Sequence, residues 1–564
     1  MVFLNCFMKG IVVKMISKGV DIDSCDIENL IEIPPKDDMG DFAFPCFGLA
    51  KTLKKNPMVI AEDLAKKFRK KLPKEISSVD SKGAYVNFFI DKNILIEGVL
   101  KEVTKKSFGE NVLGKGKTRL VEYSQPNTHK AFHVGHIRGT SLGESLSRIF
   151  RASGEKVTQM NYSGDTGMHI AKWIWCYKKY HSKEKLKDDE SWIAGIYVDA
   201  IKRLGDSEKL QEEVNNINQK IEDKSDEEIN DLWRKTRLAS IKSWERIYGE
   251  LGAHFDVSLF ESEFELDAKK KALELLDKGI AKKDDAVFMD LKKYNLGVWV
   301  LLRKDGTVLY SAKDIVLALR KFKDFKSDNY LVTVGNEQKM HFEQLVKTLE
   351  LMGFKKEALS YGVLPFGMVR FPEGKMSSRS GNNVLYSDFF KEVTSIAKKG
   401  IRKRGYEGCD IDERAMKIGV ASIKYSMLKQ DPRKTMVFDP RGDVSFEGDT
   451  GPYLLYSYAR ASSIIRKVKS KAKVKILDLK EQEIKLLKKI DFFPQIVEKA
   501  YENLSPNLIA NYVFELAQIF NEFYHSCPVM GSESEGFRLK LVDAFRIALK
   551  KGLDLLGIET IEEM

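Results

Sequence analysis

Apolar residues recur along this chain at two spacings, and the switches between them mark out its elements. Leu142, Leu146, Ile149 and Phe150 fall at i, i+4, i+7 and i+8, the buried stripe of a helix from about His136 to Ser153, with Gly154 as its stop. Leu120 to Ser124 before it and Val157 to Tyr162 after it read as strands, so the three form a βαβ unit. The loop Gly164 to Gly167 then falls at the C-terminal edge of the sheet, where open α/β sheets bind ligands. Residues 172 to 260 lose this rhythm. They are highly charged, helical in pattern and hold five of the six tryptophans, which predicts a helical insertion between two half-sheets. The second half resumes near Val298: a Lys304-Asp305-Gly306 turn feeds a strand Thr307 to Tyr310, and a helix starts around Ala312. A strand Tyr330 to Val334 follows, then a helix lined by Phe342, Leu345, Leu349 and Met352, and a strand-like run from Leu359 to Val369. Ahead of the sheet, a basic helix from Lys51 to Lys74 buries Ala61, Leu64, Ala65 and Phe68, and a strand runs from Ala84 to Ile90. From Gly448 the pattern is helical to the end. The fold class is multidomain α/β, divided at 1–112, 113–447 and 448–564.

Composition changes this picture little. A chain of 564 residues has room for three or four domains, and 31% charged with 43% hydrophobic residues is an ordinary globular balance. The net charge of +12 and pI near 9.0 favour a polyanionic partner. Six cysteines form no C-x-x-C pair and read as thiols of a reducing compartment. The apolar N-terminus is broken by Lys9 and Lys14, and no apolar run is long enough to span a bilayer, so a cytoplasmic protein without a membrane partner is expected.

The chemistry concentrates in S-Q-P-N-T-H-K-A-F-H-V-G-H, Ser124 to His136, where His129, His133 and His136 sit between a strand and a helix. The first N–H groups of a helix lack partners and bind anions, and imidazoles beside them add donors for phosphate oxygens. Gly139 and Gly143 stand inside the helix in phase with Gly135. An interior Gly costs roughly 1 kcal/mol against Ala, so close approach to a sheet below, and to a nucleotide at Gly135, is expected in return. A zinc site on the three histidines is the alternative. No H-E-x-x-H arrangement or cysteine cluster supports it, and no metal ligands are assigned. The stretch resembles the H-I-G-H signature of class I aminoacyl-tRNA synthetases. With Pro126-Asn127 and Lys130 ahead of His133-Val134-Gly135-His136 it is similar to the arginyl-tRNA synthetase version.

A second stretch, Gly374-Lys375-Met376-Ser377-Ser378-Arg379-Ser380-Gly381, resembles the K-M-S-K-S loop of that class, which brings positive charge to departing pyrophosphate. Ser378 stands where the second lysine would be. The family often pairs this loss with a lysine before the first signature histidine, as Lys130 is here. The resemblance implies His133, His136, Lys375 and Lys130 as catalytic groups, with Gly135, Met376 and Ser377 also on ATP. A guanidinium requires a carboxylate in fork geometry and a flat surface, and Tyr310 and Asp314 lie four apart on one helical face. The family's arginine pocket maps onto Glu122, Asn127, Tyr310, Asp314 and Gln338. Such a pocket can reject a neutral isostere by roughly 10⁴-fold or more, so no editing domain is needed.

Gly448 to Arg460, with Tyr453, Tyr456 and Arg460, resembles the entry to the family's helical anticodon-binding domain. Asp543-Ala544-Phe545-Arg546 is close to its D-A-L-R signature. The G-D-F-A-F and G-A-Y-V-N-F blocks resemble the N-terminal added domain, which contacts the tRNA elbow. The resemblance thus implies a Rossmann-type catalytic domain with an α+β added domain, a helical insertion and an all-α C-terminal domain. It implies an arginine–tRNA ligase working as a monomer on tRNA(Arg), L-arginine and ATP with Mg2+, with no tightly bound cofactor. The alternatives are a tRNA-binding paralogue with altered catalysis, a class I synthetase for another amino acid, and a nucleotidyltransferase. Intact His133, His136 and Lys375 weigh against the first, and the absence of zinc-type cysteines against the cysteine enzyme.

Overall fold

The computed structural model describes residues 4–34, 37–372, 384–468 and 479–564. Five parallel strands form the central sheet: β1 (Thr118–Glu122), β2 (Lys156–Ser163), β3 (Val257–Phe260), β4 (Asn329–Gly335) and β5 (Tyr361–Phe366), in the order β5-β4-β1-β2-β3. The strand order reverses between β1 and β4, and the crevice at their C-terminal ends is where doubly wound sheets hold ligands.

The helix after β1, α1 (Val134–Ala152), starts two residues before the expected His136, because His133 caps it. Its glycines answer the sheet as expected. A Cβ on Gly143 would overlap the Tyr123 ring, and one on Gly139 would meet the Phe366 ring at 3.2 Å. At Gly135 the nearest group is the His133 ring, at 3.0 Å.

The insertion is built of α2 (Met168–Cys176), α3 (Glu190–Leu204), α4 (Glu208–Glu222) and α5 (Glu227–Leu251), with a π turn over Tyr177–His181. Its core gathers Trp173, Trp175, Ile193, Ile196, Val214 and Ala239. Buried indoles need acceptors: Trp173 donates to the Ile193 carbonyl at 2.8 Å and Trp233 to the Asp165 carbonyl at 2.8 Å. Three sequence readings differ from what is found. Val257–Phe260, within the stretch read as insertion, is the edge strand of the main sheet. Val298–Leu302 does not resume that sheet; it pairs antiparallel with Val287–Asp290 in a separate three-stranded sheet. Thr307 to Tyr310 makes only one bridge, Val308 to Leu302, and Tyr310 already opens helix α6 (Tyr310–Asp324). The reason is local: the Arg303 N–H donates to the Thr307 carbonyl at 3.0 Å, and the Ser311 hydroxyl pins the helix start to the Val300 carbonyl.

The chain separates into two compact units. One holds 1–111, 460–496 and 515–551. Within it Phe42–Pro45, Ile76–Lys82 and Tyr85–Ile90 form an antiparallel sheet with Tyr85–Ile90 central, and the expected basic helix, Pro57–Arg69, buries Ile60, Ala61, Leu64, Ala65 and Phe68. The other holds 112–459, 497–514 and 552–564, so the C-terminal tail belongs with the parallel sheet. The Lys424 ammonium donates to the Gly557 carbonyl at 2.7 Å and the Ser145 hydroxyl to the Leu555 carbonyl at 2.9 Å. Among the described residues, no helix is long and apolar enough to cross a membrane.

Candidate active site

The turn leaving β1 is strained and heavily tied. Ser124, Gln125 and His129 take φ of 78°, 51° and 62°, a left-handed backbone that costs non-glycine residues roughly 1–2 kcal/mol each. Buried hydrogen bonds hold it there. The Ser124 hydroxyl bonds Tyr248 at 2.9 Å, the Gln125 N–H donates to the Asn161 side chain at 3.1 Å, and the Thr128 N–H donates to the Gly164 carbonyl at 2.8 Å. Asn127 bridges to Gly164, where its side chain fills the space a Cβ would occupy.

His133 and His136 form a reciprocal cap on α1. Nδ1 of His133 accepts the Gly135 N–H at 3.1 Å, and Nδ1 of His136 accepts the His133 N–H at 3.1 Å; the rings stack with centroids 3.9 Å apart. With both Nδ1 atoms accepting, the proton of each neutral ring sits on Nε2. Burial, with Lys130 adding to it, pulls His133 down to about 4, and burial, His133 and Lys130 hold His136 well below its usual value. The pair therefore offers two fixed neutral N–H donors. His129 does not join them. It is fully buried, with Nε2 2.7 Å from the Thr236 hydroxyl and its ring edge-on to Trp173, so it serves the insertion's core rather than a phosphate. Lys130 is half-buried, its ammonium 5.7 Å from the Tyr197 ring centroid, and it forms no hydrogen bond or ion pair among the described residues. Burial lowers its pKa, with Glu261 opposing.

The residues that the resemblance assigns to the arginine pocket have different surroundings. Glu122, at the end of β1, pairs with Lys321 in full burial, and its other oxygen accepts from Gln125 at 2.9 Å. Asp314 accepts from His341 Nε2 at 2.6 Å, while Trp299 donates to His341 Nδ1 at 3.2 Å. Two buried groups that interact electrostatically with Asp314 escaped the sequence reading. Glu261, just past β3, is buried and pushed up to about 7 by burial, against Lys313 at 3.4 Å. Tyr162 on β2 has a buried hydroxyl with no hydrogen-bond partner among the described residues, and burial with the charges of Glu261, Asp314, Glu122 and Asp165 raises its pKa. Three of these four carboxylates have a cation within the chain: Glu122 has Lys321, Glu261 has Lys313, and Asp165 has Arg237 at 2.6 Å. Asp314 has none among the described residues. Tyr310 and Gln338 are exposed, at the start of α6 and in the turn after β4.

Lys375, Met376, Ser377 and Ser378 lie outside the described residues. The chain before them is anchored by Arg138 of α1. Fully buried, it donates to the carbonyls of Gly367 at 2.6 Å and Met368 at 3.2 Å, and to those of Pro432 and Lys434 at 3.0 and 2.8 Å. On the helix Gly451–Lys467, Tyr453 packs edge-on to Phe514; Arg460 donates to Asn521 at 2.6 Å and lies over the Tyr524 ring. Tyr456 is half-buried on the same helix. In the insertion Cys176, His181 and Asp199 lie within metal-sharing distance, but Arg203 already donates to Asp199 at 2.6 Å, Glu184 sits on His181 at 2.6 Å, and burial pushes the thiol up to about 12. It is a closed polar network.

A doubly wound sheet whose switch-point helix is capped by two paired imidazoles is the catalytic domain of a class I tRNA synthetase. Family models agree: tRNA synthetases class I (R), catalytic domain, matches residues 98–439; the arginyl tRNA synthetase N-terminal domain matches 7–90; and the DALR anticodon binding domain matches 454–564. The chain is 36% identical to the arginine–tRNA ligase of Clostridium acetobutylicum and 35% identical to that of Clostridium perfringens, each over 99% of this chain and all of the relative. It superposes on the arginyl-tRNA synthetase of Thermus thermophilus with a TM-score of 0.81 at 26% identity, over the whole of both chains. The chain belongs to the arginyl-tRNA synthetase family.

Proposed function

We propose that this chain is an arginine–tRNA ligase that activates L-arginine with magnesium-bound ATP and passes it from arginyl-adenylate to the 3′-terminal adenosine of tRNA(Arg). The observation that carries the arginine part is Asp314: a part-buried carboxylate fixed by His341 on one oxygen and, among the described residues, lacking a cation. A guanidinium supplies the missing charge and several N–H donors in one plane. Glu261 adds a second carboxylate, Tyr310 a flat ring and Gln338 a side-chain amide. Glu122 and Asn127 serve the backbone end of the amino acid.

In the first step the arginine carboxylate attacks the α-phosphate of ATP and pyrophosphate leaves. The His133 and His136 Nε2–H donors meet charge growing on the phosphate oxygens, at no reorganisation cost because the cap fixes them. Lys130, with Lys375, Met376 and Ser377 of the second motif, serves the leaving pyrophosphate. In the second step the 2′-hydroxyl of the terminal adenosine attacks the arginyl carbonyl of the adenylate; the ester forms as the anhydride C–O bond breaks and AMP leaves. Residues 1–112 meet the tRNA elbow, and 448–564, through Tyr453, Tyr456 and Arg460, meet the anticodon. The protein works as a monomer in the cytoplasm. The test is charging of bulk tRNA with each of the twenty amino acids: arginine alone is expected to be esterified, and charging with any other in its place would refute the reading.

A further inference from the structure

Glu190 opens α3 in the insertion, far in sequence from both signature motifs, yet its carboxylate is buried against the catalytic core. Oε1 accepts the N–H of Phe132, the residue before His133, at 3.1 Å. Oε2 accepts the N–H of Ser387, at the start of α7 (Tyr386–Lys403) and soon after the second motif in sequence, at 3.3 Å. The same two segments also meet directly. The Tyr386 N–H donates to the Phe132 carbonyl at 2.9 Å, and His133 pairs with Leu385 as a single antiparallel bridge. The Ser191 and Ser387 hydroxyls, 3.2 Å apart, add a link from α3. Burial raises the Glu190 carboxyl to about 7, against the donors of Ser387 and Phe132 and the charge of Arg246. A buried carboxylate is costly unless both oxygens are satisfied, and here each oxygen accepts a backbone N–H from one of these two segments.

We propose that Glu190 is a positioning residue for adenylate formation, holding the Phe132–His133 turn and the Leu385–Ser387 segment in one register so that the His133 imidazole keeps its place at the phosphates. This rests on the ligase reading above. It gives the insertion a part in the chemistry, through one side chain that never touches substrate. A carboxylate accepts on both oxygens, whereas an amide accepts on one and turns an NH2 toward the other N–H. Glu190→Gln is therefore close in shape but wrong in pairing, and Glu190→Asp keeps the charge but is one methylene short.

The test compares full-length wild type, Glu190→Gln and Glu190→Asp. Three quantities are read: arginine-dependent ATP–pyrophosphate exchange with tRNA present, the KM for arginine, and deuterium uptake in peptides covering Phe132 and Ser387. Glu190→Gln is expected to lower kcat roughly 10-fold or more while the arginine KM stays within about twofold, the split of a group acting on the transition state alone. Both peptides should exchange faster. Glu190→Asp should lose less, and it decides the matter if Glu190→Gln does not fold. An unchanged kcat, or a fall in kcat matched by an equal rise in KM, would overturn the proposal, as would unchanged uptake at both peptides. Deuterium uptake is read without substrate, so it judges the clamp by itself. Absence of arginine-dependent exchange in the wild type would instead strike the ligase reading.

Discussion

At the signature turn the chain strips charge from its own side chains, whereas beside α6 it leaves a charge standing. His133 and His136 are held neutral by burial and by the cap that occupies both Nδ1 atoms. Asp314 has an imidazole N–H on one oxygen and no cation among the described residues, although Glu122, Glu261 and Asp165 each have one. On the proposed reading each end complements what it would receive. Phosphates bring negative charge, which the neutral fixed donors and Lys130, unpaired among the described residues, would meet. A guanidinium brings positive charge, which the Asp314 carboxylate would meet.

The sharpest way to break this contrast is to neutralise the waiting charge. Asp314→Asn should raise the KM for arginine by roughly 30-fold to several thousand-fold, the cost of about 2–5 kcal/mol for removing one partner of a buried charged pair. ATP binding should be kept. An unchanged arginine KM in steady-state charging would remove Asp314 from the pocket. Next in size is the phosphate end. Lys130→Ala should lower the turnover for adenylate formation by roughly 10²-fold, as for loss of one preorganised donor, with a smaller effect on ATP binding. Adding Ser378→Lys should restore part of it, since both lysines would serve the same oxygens. Pyrophosphate exchange at the parental rate in Lys130→Ala, or no rescue, would make Lys130 a bystander.

The smallest effect concerns a histidine that joins neither end. His129 is buried and pulled down to about 3 from 6.5, so the folded state resists protonation while the unfolded state accepts it. Stability from this group is complete above about pH 6.5 and is lost as pH falls toward the folded value, at up to ~1.4 kcal/mol per pH unit. Melting temperature followed from pH 7 to 5 should fall more steeply in the wild type than in His129→Asn, and equal slopes would contradict the assignment.

How much of this was legible in the sequence depends on whether a residue's partners are near it in the chain. The β1–α1–β2 unit was, because its periods are long and clean, and Gly139 and Gly143 foretold the close helix–sheet approach that Phe366 and Tyr123 make. The proposed role of Asp314 was suggested by its i, i+4 spacing to Tyr310. Glu261 was not, because in E-S-E-F-E nothing distinguishes one carboxylate from the others until β3 turns it inward. His341 and Glu190 act on groups dozens to hundreds of positions away and leave no local mark. Val298–Leu302 was misassigned because a short apolar run reads the same in an antiparallel hairpin as in a parallel core. His129 was grouped with His133 and His136 by proximity, but its left-handed backbone turns it to the insertion.

The claim that a cation completes Asp314 is tested most directly by comparing arginine with citrulline, its neutral isostere, in ATP–pyrophosphate exchange with tRNA present. The account predicts that kcat/KM for citrulline is lower by roughly 10⁴-fold or more, because the uncharged group leaves a buried carboxylate unpaired. Values for the two substrates within about 10-fold of each other would contradict it, for that is the discrimination available to shape alone.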